Sequence, residues 1–162
     1  MIAPINLLVF ISSIIFGGVA FAQSTDRTIV VRQDDAAMEE AKRKGRATLA
    51  EFLALARAPR PSQSNFAVKI GIGPKGRLEF VWVRPFERRD NGYVGRLRND
   101  VQSGAKLKYG DVVAFEESDI VDWSYRDGDV TRGNFTGCVA LRRLPKAEAL
   151  SIQKQNALDC QI

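Results

Sequence analysis

The chain predicts an α+β fold: an antiparallel sheet of about five or six strands with one long N-terminal amphipathic helix packed on one face. Three observations carry this. Apolar residues recur near a 3.6 period over residues 36–57, the period changes to two from Asn65 onward, and glycine-containing turn signals separate the later runs.

The helix comes first. Asp34 and Asp35 offer an N-cap, and Ala37, Met38, Ala41, Gly45, Thr48, Leu49, Phe52 and Ala56 fall on one face of the segment 36–57. Glu39 and Glu40 sit at the positive end of the helix dipole, four residues before Arg43 and Lys44, the favourable order for pairing. Pro59 and Pro61 end the segment. The basic run Lys42, Arg43, Lys44 and Arg46 reads as a solvated face rather than a membrane-docking patch.

The sheet follows. Phe66, Val68, Ile70 and Ile72 alternate with polar or small residues, and after the turn 73–76 Leu78, Phe80 and Trp82 alternate with Glu79, Val81 and Val83, so the two runs read as an antiparallel hairpin. Gly71, Gly73 and Gly76 copy the spacing of a dinucleotide fingerprint. They lie between two strands and open no helix, which leaves a phosphate without a helix N-terminus. Further strands are expected at 93–98, Val112–Phe115, 120–125 and Phe135–Leu141, with Asp127 and Gly128 turning the chain between the last two. Pro145 opens a weakly patterned helix over 146–156.

Residues 1–22 contain no charged side chain. An apolar core at Leu7, Leu8, Val9, Phe10, Ile11, Ile14, Ile15 and Phe16 precedes the small-x-small ending Ala20-Phe21-Ala22. The expectation is a secretory signal peptide over 1–22 cut between Ala22 and Gln23, a linker over 23–33, and a single domain over 34–162 with a C-terminal tail. An uncleaved anchor competes, because the stretch approaches the ~20 residues that span a bilayer and lacks an early Lys or Arg. Pro4, Asn6, Ser12 and Ser13 dilute it. The expected location is periplasmic or secreted, with membrane contact only through the signal segment.

That address gives meaning to the chain's two cysteines, Cys138 and Cys160. In an oxidising compartment they are expected to form a disulfide, worth roughly 3 kcal/mol on the chain-entropy estimate, which would pin the tail to the last strand; two buried free thiols are the alternative should their Cα atoms lie too far apart. The spacing is not that of a Cys-x-x-Cys redox pair.

The segments DDAAMEEAKRKGRATLAEFL, YVGRLRND, YGDVVAFEESDIVDWSY and GNFTG, between Asp34 and Leu144, resemble the YegJ-like family of small bacterial proteins of unknown function. The most specific pieces are Gly110 to Val113, Ile120 to Trp123 and Gly133 to Thr136. The resemblance implies a bacterial α+β domain, often exported, and supplies no reaction or site.

Chemistry is bounded by what is missing. With no histidine in 162 residues, Ser-His and Cys-His pairs and His-containing zinc sites are excluded. No cofactor motif is read. Charge is uneven: residues 69–108 hold ten basic and four acidic side chains, and residues 111–130 hold seven acidic and one basic. The favoured reading is that neighbouring strands of opposite sign pair across the sheet. The sharper reading is an anion-binding face built from Arg84, Arg88, Arg89, Arg96 and Arg98 with Trp82 or Tyr93 beside them, since Arg grips phosphate and carboxylate bidentately. Export argues against nucleic acid as its partner.

Asp111, Glu116, Glu117, Asp119 and Asp122 match no calcium-loop order. Asp122, next to Trp123, is the acid of most interest, and the pattern around it leaves its direction open. The leading functional expectation is an exported noncatalytic module that binds a protein or an anionic envelope component, with an inhibitor or immunity-type role as one form. The alternative is an exported carboxylate-dependent hydrolase centred near Asp122. A structural envelope protein would require oligomerisation, on which the sequence is silent.

Overall fold

The computed structural model describes residues 35–74, 78–102 and 106–162. The expected signal segment, cleavage point and linker, and residues 75 and 76 of the expected turn, lie outside the described residues.

Asp35 caps the first helix, accepting hydrogen bonds from the backbone N–H of Ala37 (3.1 Å) and Met38 (3.2 Å), and Arg143 pairs with its other oxygen. This helix, α1, covers Ala36–Ala47, and a second, α2, covers Leu49–Arg57. The single long helix is therefore two short ones, broken at Thr48. The cause is Trp123. Its indole N–H reaches both the Gly45 carbonyl and the Thr48 hydroxyl at 3.1 Å, inserting a side chain where the helical ladder would continue. The apolar stripe survives the break, with Met38, Ala41, Gly45, Leu49 and Phe52 all buried. Its charged pairs form at i,i+3, Glu39 with Lys42 and Glu40 with Arg43, rather than at four residues' spacing.

Six strands follow: β1 (Gln63–Ile72), β2 (Glu79–Arg89), β3 (Gly92–Leu97), β4 (Val112–Phe115), β5 (Ile120–Asp127) and β6 (Val130–Gly133). They form one antiparallel sheet in the order β4-β3-β2-β1-β5-β6. Val68, Ile70, Val81, Val83 and Leu97 are buried, and Leu49 and Phe52 of α2 join them in one core. On β2 this corrects the expected face: Val81 and Val83 point inward, and Leu78 and Phe80 are exposed. Met38 and Ala41 of α1 pack instead with Val139 and Phe135.

Two corrections concern the C-terminal third. Phe135–Leu141 is a helix, α3, and not a strand; the strand that returns from the Asp127-Gly128 turn is the short β6. The disulfide Cys138–Cys160 is present, with Cα atoms 5.4 Å apart, and so ties the tail to α3 instead of to a final strand. A last helix, α4, covers Lys146–Gln155. Among the described residues no helix is long and apolar enough to cross a membrane.

Candidate anion-binding groove

Two neighbouring strands carry irregularities in their pairing at the same end of the sheet. One lies on β1 between Ser64 and Ala67, the other on β2 between Val83 and Phe86. Such bulges re-aim side chains that a regular pleat would alternate. On β2 the irregularity includes the cis peptide before Pro85, and it packs against β3 at Gly95, where an added Cβ would lie 2.4 Å from Val83 and 2.8 Å from the Pro85 carbonyl. Asn65 on β1 adopts a left-handed φ of 56°.

A groove of about 640 Å³ opens at this end of the sheet. Its basic lining is Arg57 from α2, Arg84 and Arg88 from β2, and Arg98, which follows β3. Phe66, Phe86 and Tyr93 supply aromatic lining. They belong to a ring cluster centred on Phe52, which lies 5.8 Å from Phe66 and 6.2 Å from Phe86, while Phe86 meets Tyr93 edge-on at 6.0 Å. The aromatic lining is therefore held by the core.

Among the described residues no carboxylate lies within 4.0 Å of the Arg57, Arg84, Arg88 or Arg98 guanidinium. Glu87, the acid in the lining, is held by Arg89 at 2.6 Å. Arg98 rests over the Tyr109 ring at 4.5 Å. The Tyr93 hydroxyl donates to Glu117 at 3.3 Å. Burial first, and then the Glu117 charge, push its phenol above the ordinary value, while Arg88 and Arg57 pull the other way.

Of the residues singled out from the sequence, the groove brings together Arg84, Arg88, Tyr93 and Arg98. Arg89 is turned to Glu87, and Arg96 donates to the Gly110 carbonyl at 3.1 Å. Trp82 lies under the Lys69 ammonium, 4.7 Å from the ring centre. Arg57, Phe66 and Phe86 were not singled out. The signal for Phe86 was present in the Arg84-Pro85-Phe86 run, where proline interrupts a strand pattern.

Among the described residues the four groove arginines take no part in charge pairing across the sheet, which elsewhere is partial. Lys69 does stand opposite Asp122 in the β1–β5 register. Asp111 accepts from the Lys108 N–H and Asp119 from the Glu116 N–H, both local, whereas Asp127 accepts from the Ser62 hydroxyl and pairs with Arg60 at 3.6 Å.

Asp122 and Trp123 are buried and belong to no exposed surface. The Asp122 carboxylate accepts the N–H groups of Trp123 (2.8 Å), Phe135 (3.3 Å) and Thr136 (2.8 Å), and the Thr136 hydroxyl at 2.6 Å. Lys69 in turn donates to that hydroxyl at 2.8 Å. Asp122 thus caps α3 from another element, the work Asn134, with its left-handed φ of 55°, does not do. Burial pushes the Asp122 carboxyl up; Lys69, the Thr136 hydroxyl and N–H, and the Trp123 N–H oppose it.

The chain belongs to the family described as "Uncharacterized protein conserved in bacteria (DUF2314)", whose model matches residues 35–160. It is similar to "Uncharacterized protein YegJ" of Escherichia coli (strain K12), with 27% identity over 144 residues that cover 89% of this chain and 93% of that protein. No solved structure gives a significant match. The pieces Ile120 to Trp123 and Gly133 to Thr136 meet in the structure: they make the Asp122 cap and seat Gly133 against the Trp123 ring.

Proposed function

We propose that this chain is an exported, noncatalytic binding module of the periplasm or the extracellular medium. It recognises an anionic envelope component or an acidic protein surface through the groove at Arg57, Arg84, Arg88 and Arg98. An inhibitor or immunity-type role is one concrete form. The observation that carries the reading is four guanidinium groups lining one groove with no described carboxylate within 4.0 Å of any of them. Grouped like charges raise the local potential and attract counter-charge, and Arg offers that charge in a bidentate fork.

Export is supported by the uncharged leader and by the Cys138–Cys160 bridge, a bond that persists outside the reducing cytosol. The binding reading is preferred to a hydrolase at Asp122 because that carboxylate is wholly buried and its oxygens are occupied by α3.

The test is calorimetric titration of the purified chain with inorganic polyphosphate and with polyglutamate at low and moderate salt. Saturable binding that weakens with salt and falls at least tenfold in R84A/R88A is expected. Absence of saturable binding to both polyanions removes the reading. N-terminal sequencing of exported material is expected to begin at Gln23, and a start at Met1 refutes cleavage.

A further inference from the structure

The groove arginines come from separate places in the chain. Arg84 and Arg88 are four residues apart on β2, which at the rise of a strand separates their Cα atoms by on the order of 10 Å. Arg57 and Arg98 come from separate parts of the chain. Four guanidinium groups carry more N–H donors than one carboxylate can accept, so a ligand with more than one acidic group matches the lining better.

The stretch between Arg84 and Arg88 is also not uniformly polar. Phe86 lies between them in sequence, half-buried, with Phe66 and Tyr93 in the same lining. A chain of bare phosphates matches the charge but leaves that apolar surface wet, whereas an apolar side chain placed on it removes the surface from water. A ligand with two acidic groups on either side of one bulky apolar group satisfies both features. In an extended peptide, alternate residues share a face, so acids two residues before and two residues after an apolar residue span a distance comparable to that from Arg84 to Arg88.

Resting on the anion-binding reading above, the geometry points to a protein partner that presents an extended acidic–apolar–acidic segment to this groove. The carboxylates pair with Arg84 and Arg88, and the apolar side chain seats on Phe86, Phe66 and Tyr93. Arg57 and Arg98 hold flanking acids or the peptide's carbonyl groups. Rigid aromatic anchors beside arginine are the composition on which tight protein recognition concentrates.

The experiment measures fluorescence anisotropy of labelled peptides with the intact chain at low salt. One peptide has a Glu-Ser-Phe-Ser-Glu core, a second has Ser in place of Phe, and unlabelled polyphosphate of matched charge competes. The Phe peptide is expected to bind about tenfold tighter than the Ser peptide, the factor that follows from burying part of one aromatic side chain. Binding is expected to fall at least tenfold in R84A/R88A and to persist in R96A, whose arginine lies outside the groove.

Equal binding of the two peptides, or tighter binding of polyphosphate than of the Phe peptide, overturns the protein-segment inference. If that binding still depends on Arg84 and Arg88, the anion-binding reading stands. No binding by any of the three probes overturns both.

Discussion

Asp122 illustrates how much one side chain can hold. Its oxygens accept hydrogen bonds from Trp123, Phe135 and Thr136, so β5, the approach to α3 and the first turn of α3 share one buried anchor. Asp122→Ala leaves those donors unmet and removes the charge opposite Lys69, and is expected to cost about 3 to 5 kcal/mol in urea unfolding. Asp122→Asn keeps one acceptor oxygen and should cost less. The pH dependence follows from the raised carboxyl. Where burial lifts the folded value above that of the unfolded chain, the native state binds the proton more tightly. The stability attached to that proton is fully present below the ordinary aspartate range and is lost as pH rises through the folded value. Subtracting the unfolding free energy of Asp122→Asn from that of the parent across acidic to neutral pH should give a curve that declines with rising pH. A flat difference would mean that the hydrogen bonds and Lys69 fully offset burial.

At the scale of elements, the α1–α2 break and the nature of α3 have a common origin in β5. Gly45 lets α1 approach the β5 backbone, since a Cβ there would lie 2.6 Å from the Val121 carbonyl oxygen. That neighbour is main chain and cannot rotate aside. Gly45→Ala is therefore expected to destabilise the protein by roughly 1 to 3 kcal/mol despite its better helix propensity, as read by the urea midpoint at unchanged m. The helical stripe was legible in the sequence because Met38, Ala41, Leu49 and Phe52 keep their period through the break. The break was not, because the Trp123 indole that causes it lies 78 residues from Gly45. Similarly, Phe135, Gly137, Val139 and Leu141 alternate in a way that fits a strand, and the capping carboxylate that makes the segment helical is supplied by Asp122.

For the whole molecule, the C-terminal tail is fastened at several points. Leu158 bridges in parallel to Thr131 of β6, Asp159 pairs with Arg132, Gln153 donates to the Cys160 carbonyl at 2.6 Å, and the disulfide fixes Cys160 to α3. Replacing both cysteines by serine is expected to lower unfolding stability by about 3 kcal/mol, checked against the parent with and without reductant. The double variant should then be insensitive to reductant. Because the groove lies on α2, β1, β2 and β3, polyanion binding by the folded fraction should change little. This separates the staple from the recognition surface. Arg84, Arg88, Tyr93 and Arg98 were readable as a basic and aromatic group, since they fall within residues 84–98. Arg57 was not, because it arrives from a helix and the bulges on β1 and β2 decide which side chains share a groove.

Periodicity and composition alone settled the α+β class, the antiparallel hairpin that opens the sheet, the buried helical stripe and the single pairing open to the two cysteines if they bond at all. These are properties of near neighbours in the chain or of the chain's inventory, and they survive any arrangement of distant parts. Tertiary structure alone decided that α1 and α2 part at Thr48, that α3 is a helix, that Asp122 is a buried cap, and that Arg57 joins the β2 and β3 arginines. Each of those outcomes depends on a group from a distant element satisfying a backbone donor or acceptor, or sharing a surface. Local pattern carries no record of such partners.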